Sequence, residues 1–431
     1  MHGEAVGDVS VASAEGESQA VSAQRDRRHD LLDAGVLDNP YPLYDELRTA
    51  APVYRDRRFF GCILTRYDDI VAVLKDGRVS SRRPTADERV PRSLAAIGEQ
   101  LRELRAFQSR WMLYLDAPEH TRLRSLVNKS FTAATAARMR GRIQGLIDEL
   151  LSPYVDGGRF DVIQDFARPL PALVIADILG LPPQDRALLQ EWSDGIAAGM
   201  VLSTGQDAID GLTEAHRCQG ELIRYFEDMI RVRRAEPRVD LLSALIAAED
   251  DGSRLDDDEL IAMCVLLLFA GHETTTHLIG NGIFALIEWP NEFDRLSAEP
   301  GLLQPAVEEF LRFDSPVQAT GRRASADMEI RGCVIRAGEF LRPVIGAANR
   351  DPSVFDRPDR LDISRADNRH LAFAQGPHFC LGAPLARLEG QLAIGTVVST
   401  FRRLEPGGSM TRRRNFYMRG LESLPVVGTA A

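Results

Sequence analysis

Apolar and polar positions along the 431-residue chain change period several times. The stretch Asn39-Pro40-Tyr41-Pro42-Leu43-Tyr44-Asp45-Glu46-Leu47 reads as a capped short helix punctuated by proline, and order is expected from about Asp38. Val53 to Arg66 takes strand spacing and predicts a β-hairpin, with Phe59, Phe60, Ile63 and Leu64 around Gly61. A helix is predicted next, at Tyr67–Lys75, then a charged, irregular loop with a helical piece from Ser80 to Met112. Helical spacing dominates from Pro118 to Phe313, with breaks at Gly157-Gly158, Pro182-Pro183, Pro237 and Gly252. Short strands and loops follow from Arg322 to Ile363, then a helix at Leu381 to Thr400, then strands again over Arg402–Val427. The pattern predicts a mainly α fold with a smaller β-rich region, without internal repeats or linkers, as one domain over 29–431.

One helix stands apart. Asp256 with Glu259 three residues later makes an N-terminal cap signature, and no proline follows until Pro290. The segment is apolar nearly all round through Leu268, so it should run through the interior. A buried helix has little reason to carry Gly271, Glu273, Thr274, Thr275 and Thr276 at its middle. Glycine there costs about 1 kcal/mol against alanine, and a buried carboxylate needs partners. Local rules that fail together mark a functional site. His272 and His277 are five residues apart, poor spacing for a shared metal, and read as bystanders.

Composition narrows the classes. Hydrophobic residues make up 44% and charged residues 27%, as in a soluble globular protein. The formal charge of -11 argues against nucleic-acid binding. The longest apolar run, Ile261 to Ala270, is too short to span a bilayer by itself. Met1 to Arg28 carries Gly, Ala, Ser and Glu without an apolar run and is expected to be a disordered tail. Cys62, Cys218, Cys264, Cys333 and Cys380 are scattered, odd in number and without a C-x-x-C pair. That argues against both a disulfide framework and a zinc site and fits a reducing compartment, so a cytoplasmic protein is expected.

Cys380 carries the chemistry. It sits in Phe373-Ala374-Gln375-Gly376-Pro377-His378-Phe379-Cys380-Leu381-Gly382, just before a helix whose first turn holds Pro384. Gly376 and Gly382 let the backbone bend sharply and approach a flat partner closely. A sulfur at a helix N-terminus faces unpaired N–H groups that favour thiolate. Phe373 and Phe379 supply apolar cover. Such a thiolate suits haem iron, where its electron donation favours O–O cleavage.

The segment resembles the cysteine-ligand loop of the cytochrome P450 family, Phe-Gly-x-Gly-x-His-x-Cys-x-Gly, departing from it only at Ala374. Further matching motifs run from about residue 38 to 425. The resemblance implies a soluble bacterial member with the P450 fold, its long central helix lying over a buried haem b (iron protoporphyrin IX), and Cys380 as metal ligand. Ala270-Gly271-His272-Glu273-Thr274-Thr275 is similar to the family's distal-helix pattern. Thr274 is then expected to hydrogen-bond iron-bound oxygen or its water, Glu273 to relay protons, and Ala270 and Gly271 to leave room. His120 and Arg124, Arg322, and His378 match positions that contact haem propionates, with Phe373 and Gly382 completing the cofactor contacts. Glu309, Arg312 and Arg360 would form a structural charge cluster.

The implied activity is hydroxylation or epoxidation of a largely apolar small molecule with dioxygen, in secondary metabolism. Electrons would come from ferredoxin and ferredoxin reductase, since the chain has no G-x-G-x-x-G unit. Radical coupling, desaturation or nitration is the alternative chemistry, and a haem-based sensor the alternative class. Substrate contacts are expected from Arg83–Met112, Glu191–Gln206, Leu266–Thr274, Val317–Thr320 and Phe416–Gly420. Phe107, Trp111, Trp192, Met200, Leu267 and Phe416 are the apolar candidates within them.

Overall fold

The computed structural model describes residues 30–56, 61–83, 90–129, 131–200, 206–250 and 252–431. The expected N-terminal tail and the hairpin tip with Phe59 and Phe60 lie outside the described residues. Order starts earlier than the sequence indicates. Leu31 is buried, and Asp33 caps a short helix Ala34–Asp38 by accepting from Gly35 N–H at 2.9 Å.

Helix Asp257–Glu288 is the axis of the molecule. Asp256 accepts from Glu259 N–H at 2.8 Å while Glu259 Oε2 accepts from Asp256 N–H at 3.1 Å, the reciprocal box that the sequence predicts. By length and composition it could cross a membrane, but 83% of its most apolar window is buried inside the protein, as in a core helix. Two helices flank its middle, Pro169–Leu179 on one side and Ala383–Thr400 on the other. Glycines permit the close approach: a Cβ on Gly282 would lie 2.8 Å from Ile394 Cδ1.

The β-rich region is built from small sheets. A five-stranded sheet runs in the order Val53–Asp56, Gly61–Leu64, Phe340–Pro343, Arg322–Ala324, Val79–Ser80. Gly61–Leu64 and Phe340–Pro343 pair in parallel and the other neighbours antiparallel. The predicted hairpin and the helix Tyr67–Lys75 occur as expected. The break at Gly157-Gly158 is more than a break. It opens a strand, Gly158–Asp161, that pairs with Pro425–Ala430 and so ties the middle of the chain to its C-terminal segment.

A thiol beneath a cavity lined by unpaired arginines

The segment around Cys380 forms a tight loop packed on helix Tyr67–Lys75. Gly376 has φ +74, and a Cβ there would come within 2.5 Å of Leu74 O, so glycine is required. Ala374 also lies in the left-handed region, at φ 57, where its Cβ is strained. The loop is closed by Cys380 N–H donating to Phe373 O at 2.9 Å and Phe379 N–H donating to Gly376 O at 3.1 Å. Gly382 is the N-cap of Ala383–Thr400, and a Cβ on it would meet no atom within 4 Å, leaving space for a flat neighbour.

Cys380 receives hydrogen bonds from the Gly382 and Ala383 amides, and Arg124 adds a favourable charge. Burial is nevertheless the largest influence and pushes the thiol up. A cation bound at the sulfur would add to the Gly382, Ala383 and Arg124 contributions in favour of the thiolate. Among the described residues no group of three or more His, Cys, Asp or Glu could hold a metal ion.

Above the sulfur lies a cavity of about 290 Å³ whose walls include Ala270, Gly271, Thr274 and Thr275 of the central helix. His120, Arg124, Arg322, Phe373, His378, Cys380 and Gly382 also line it. The structure thus brings ten of the eleven sequence-predicted site residues to one cavity, all but Glu273. Thr274 Oγ1 donates back to Ala270 O at 2.9 Å, leaving its lone pairs free, and the helix continues unbroken. Glu273 is buried outside the cavity lining, where Arg413 donates to its Oε1 at 2.6 Å and His277 Nε2 lies at 3.7 Å. Burial opposes ionisation, but His277 and Arg413 prevail and bring the carboxyl down to about 2. The Arg413 side chain is 30% exposed, so the pair bridges the central helix and the surface. His272 is buried with Nδ1 3.3 Å from Ser193 Oγ and does not line the cavity, whereas His277, also read as a bystander from the sequence, stands beside Glu273.

Four basic side chains meet at the cavity, and none of them makes an ion pair among the described residues. Arg322 is buried, and its Nη1 finds only Thr320 Oγ1 at 2.9 Å and its neighbour's carbonyl, Gly321 O, at 2.8 Å. Burial lowers its guanidinium to about 10. Arg124 has no ion pair among the described residues, and burial lowers it too. The rings of His120 and His378 lie 4.1 Å apart. Burial, then His120 and Arg322, push His378 down to about 3. An unpaired buried cation such as Arg322 is costly, and a partner with two carboxylates and a flat apolar body would take charge-assisted bonds from the two arginines and N–H bonds from the two imidazoles. Haem b has that form, so the residues present fit it. The adjacent Arg323 instead stacks on Phe340, 4.6 Å from the ring centroid, which resolves which arginine faces the cavity.

Two expectations are corrected. Glu309 is paired with Arg312 at 2.8 Å and with Arg365 at 3.0 Å, while Arg360 contributes only its backbone carbonyl. Of the apolar substrate candidates, only Leu267 lines the cavity. Phe107 and Trp111 belong to a buried core, Trp111 stacking on Tyr114 and Phe269, and Phe416 packs in another. The walls are instead aliphatic: Met112, Leu113, Leu266, Leu267, Pro316 and Val317.

A thiol facing a cavity that fits haem defines a haem-thiolate protein, and comparison places it. The sequence model described as "Cytochrome P450" matches residues 211–420. The chain is 38% identical over 393 residues to "Biotin biosynthesis cytochrome P450" of Bacillus subtilis (strain 168), covering 90% of this chain and 96% of that protein. It is also 38% identical over 415 residues to "Vitamin D(3) 25-hydroxylase" of Pseudonocardia autotrophica, covering 94% and 98%. The structure of P450BioI in complex with hexadec-9Z-enoic acid ligated acyl carrier protein superposes with a TM-score of 0.84 at 37% identity, over 92% of this chain and 100% of that one. The chain belongs to the bacterial cytochrome P450 family of haem b monooxygenases.

Proposed function

We propose that this P450 hydroxylates or epoxidises a neutral, largely aliphatic small molecule in secondary metabolism, in the cytoplasm, with electrons from ferredoxin and ferredoxin reductase. The observation that carries the reading is the cavity itself: Cys380 on one wall, Thr274 on another, and aliphatic side chains elsewhere. Haem b, when bound, supplies dioxygen activation, which a thiolate ligand promotes. Cys380 would be that ligand, and Arg124, Arg322, His120 and His378 would hold the two carboxylates. Ala270, Gly271 and Gly382 would leave room for the flat body and Phe373 would pack against it. The upper walls offer no free charge, so an apolar substrate would be held by shape and desolvation. The names of two relatives mention vitamin D(3) and a hexadec-9Z-enoic acid-bearing carrier protein, both with long aliphatic portions.

Proton handling falls to two adjacent side chains. Thr274 presents a hydroxyl to the cavity, where it would fix the site at which a proton arrives. Glu273 and Arg413 would connect that point with the surface. The test is a balance of product, hydrogen peroxide and consumed reductant, with a substrate first identified by binding spectra. Thr274→Ala should keep consuming reductant while releasing peroxide. Glu273→Gln should slow turnover by roughly 10²-fold or more, the scale of general acid–base help. Unchanged coupling in Thr274→Ala would remove the alcohol from this role.

A further inference from the structure

A second charged cluster sits behind the cysteine loop, on the acid next to Glu309. Helix Leu303–Phe313 carries Glu308 as well, and Arg387 grips it with both arms. Arg387 Nε donates to Glu308 Oε1 at 2.7 Å and Nη2 to Oε2 at 2.8 Å. His370 Nε2 lies 3.0 Å from Glu308 Oε2. Ala372 N–H donates to His370 Nδ1 at 3.2 Å, which leaves the ring proton on Nε2, pointing at the carboxylate. One carboxylate therefore fixes a residue before Phe373 and a residue on the helix after Cys380.

Both of those residues pack on Phe373. The Arg387 guanidinium lies 4.5 Å from its ring centroid, and the His370 ring centroid is 5.9 Å away. Phe373 in turn accepts the Cys380 N–H through its carbonyl, packs in the same core as Cys380, and lines the cavity. The rotamer of Phe373 is thus set from two sides by a guanidinium and an imidazole that share one acid. Burial opposes ionisation of Glu308, but His370 and Arg387 prevail and hold its carboxyl at about 2.

We propose that Glu308, His370 and Arg387 are positioning residues that lock Phe373 against the cysteine loop, keep water from the sulfur, and so preserve Cys380 as a thiolate ligand. The inference rests on Cys380 ligating haem iron. Outer partners of this kind act by orienting a ligand and excluding solvent, not by touching the metal. A cluster that merely staples the loop to the helix would affect stability and leave the ligand's protonation alone.

The experiment follows the reduced carbon monoxide complex of the full-length holoenzyme over time. Wild type should show the red-shifted thiolate band; its absence would refute ligation by Cys380 itself. Glu308→Gln and Arg387→Met should each convert that band to the thiol-type band roughly 10-fold faster than wild type, the lower end for outer partners at metal sites. The double variant should be no faster than either single, because both act through one carboxylate. The haem reduction potential should shift in the same sense in both singles. Conversion rates and potentials equal to wild type, or effects that multiply in the double variant, would overturn the proposal. Arg387→Lys keeps the charge while losing the fork and the stacking, and should convert at an intermediate rate. Should Glu308→Gln fail to fold, wild-type conversion by Arg387→Lys and Arg387→Met would overturn it equally.

Discussion

Arg312 and Arg322 are both buried arginines, and their surroundings treat them in opposite ways. Arg312 makes two bonds to Glu309, at 2.8 and 2.9 Å, and donates to the carbonyls of Asn349, Pro358 and Arg360. Every arm is used. Glu309 is equally saturated, accepting also from Asp362 N–H, Arg365 and Asn368. Arg322 meets no carboxylate at hydrogen-bond distance and faces the cavity with Arg124, His120 and His378. A closed cluster of buried charge holds the chain together. An open one marks where a charged ligand belongs.

The contrast can be broken from either side. Arg312→Met should cost about 3 kcal/mol of stability, the lower end for breaking a buried pair, because Arg365 still compensates part of the Glu309 charge. Urea unfolding measures it, and a loss below ~1 kcal/mol would remove the cluster from its structural role. Glu389 is the acidic counterpart of Arg322: it lines the cavity, is buried, and has no partner for Oε2. Burial lifts its carboxyl from 4.5 to about 8. Between those values the folded chain keeps a proton that the unfolded chain releases. Stability therefore falls as pH rises through that window and levels off above it. Glu389→Met should remove this slope and add ~3 kcal/mol at pH 7. Equal pH profiles for the variant and wild type, by urea unfolding from pH 5 to pH 8, would contradict it.

Arg322→Met should change sign with the state of the protein. In haem-free chain it relieves an unpaired buried cation and should add ~1–3 kcal/mol, read from unfolding curves. In holoenzyme it should speed haem loss to a scavenger, because a carboxylate loses its donor. Destabilisation of the haem-free chain would place Arg322 with Arg312 among the structural charges. The smallest effect belongs to Ala374. Ala374→Gly removes a strained left-handed Cβ and should stabilise the loop by about 1 kcal/mol. A loss of stability would mean that the methyl group's packing outweighs the strain.

Features encoded in contiguous residues were legible in the sequence. The cap at Asp256, the hairpin about Gly61 and the cysteine loop each depend on neighbours a few positions apart. Side-chain direction was not legible to the same degree. Arg360 and Arg365 both follow Pro358, and only the path of the loop decides that Arg365 reaches Glu309. Phe107 and Trp111 are as apolar as Met112 and Leu113, and Met112 shares their core, yet of the four only Met112 and Leu113 line the cavity. Hydrophobicity ranks burial, not the side from which a residue is buried. The strand Gly158–Asp161 was hidden for another reason: its partner Pro425–Ala430 lies far along the chain, and two glycines read equally well as a helix break. Glu308 escaped because two adjacent acids on a helix give no sign of which neighbours each will meet.

The account stands on one sulfur, and one spectrum tests it. Purified protein, reduced and exposed to carbon monoxide, should show the strongly red-shifted Soret band of thiolate-ligated haem. Cys380→Ser should lose that band while Cys62→Ser, at a buried thiol that does not line the cavity, should keep it. A Cys380→Ser protein that retains the wild-type spectrum would contradict the assignment of Cys380 as the ligand.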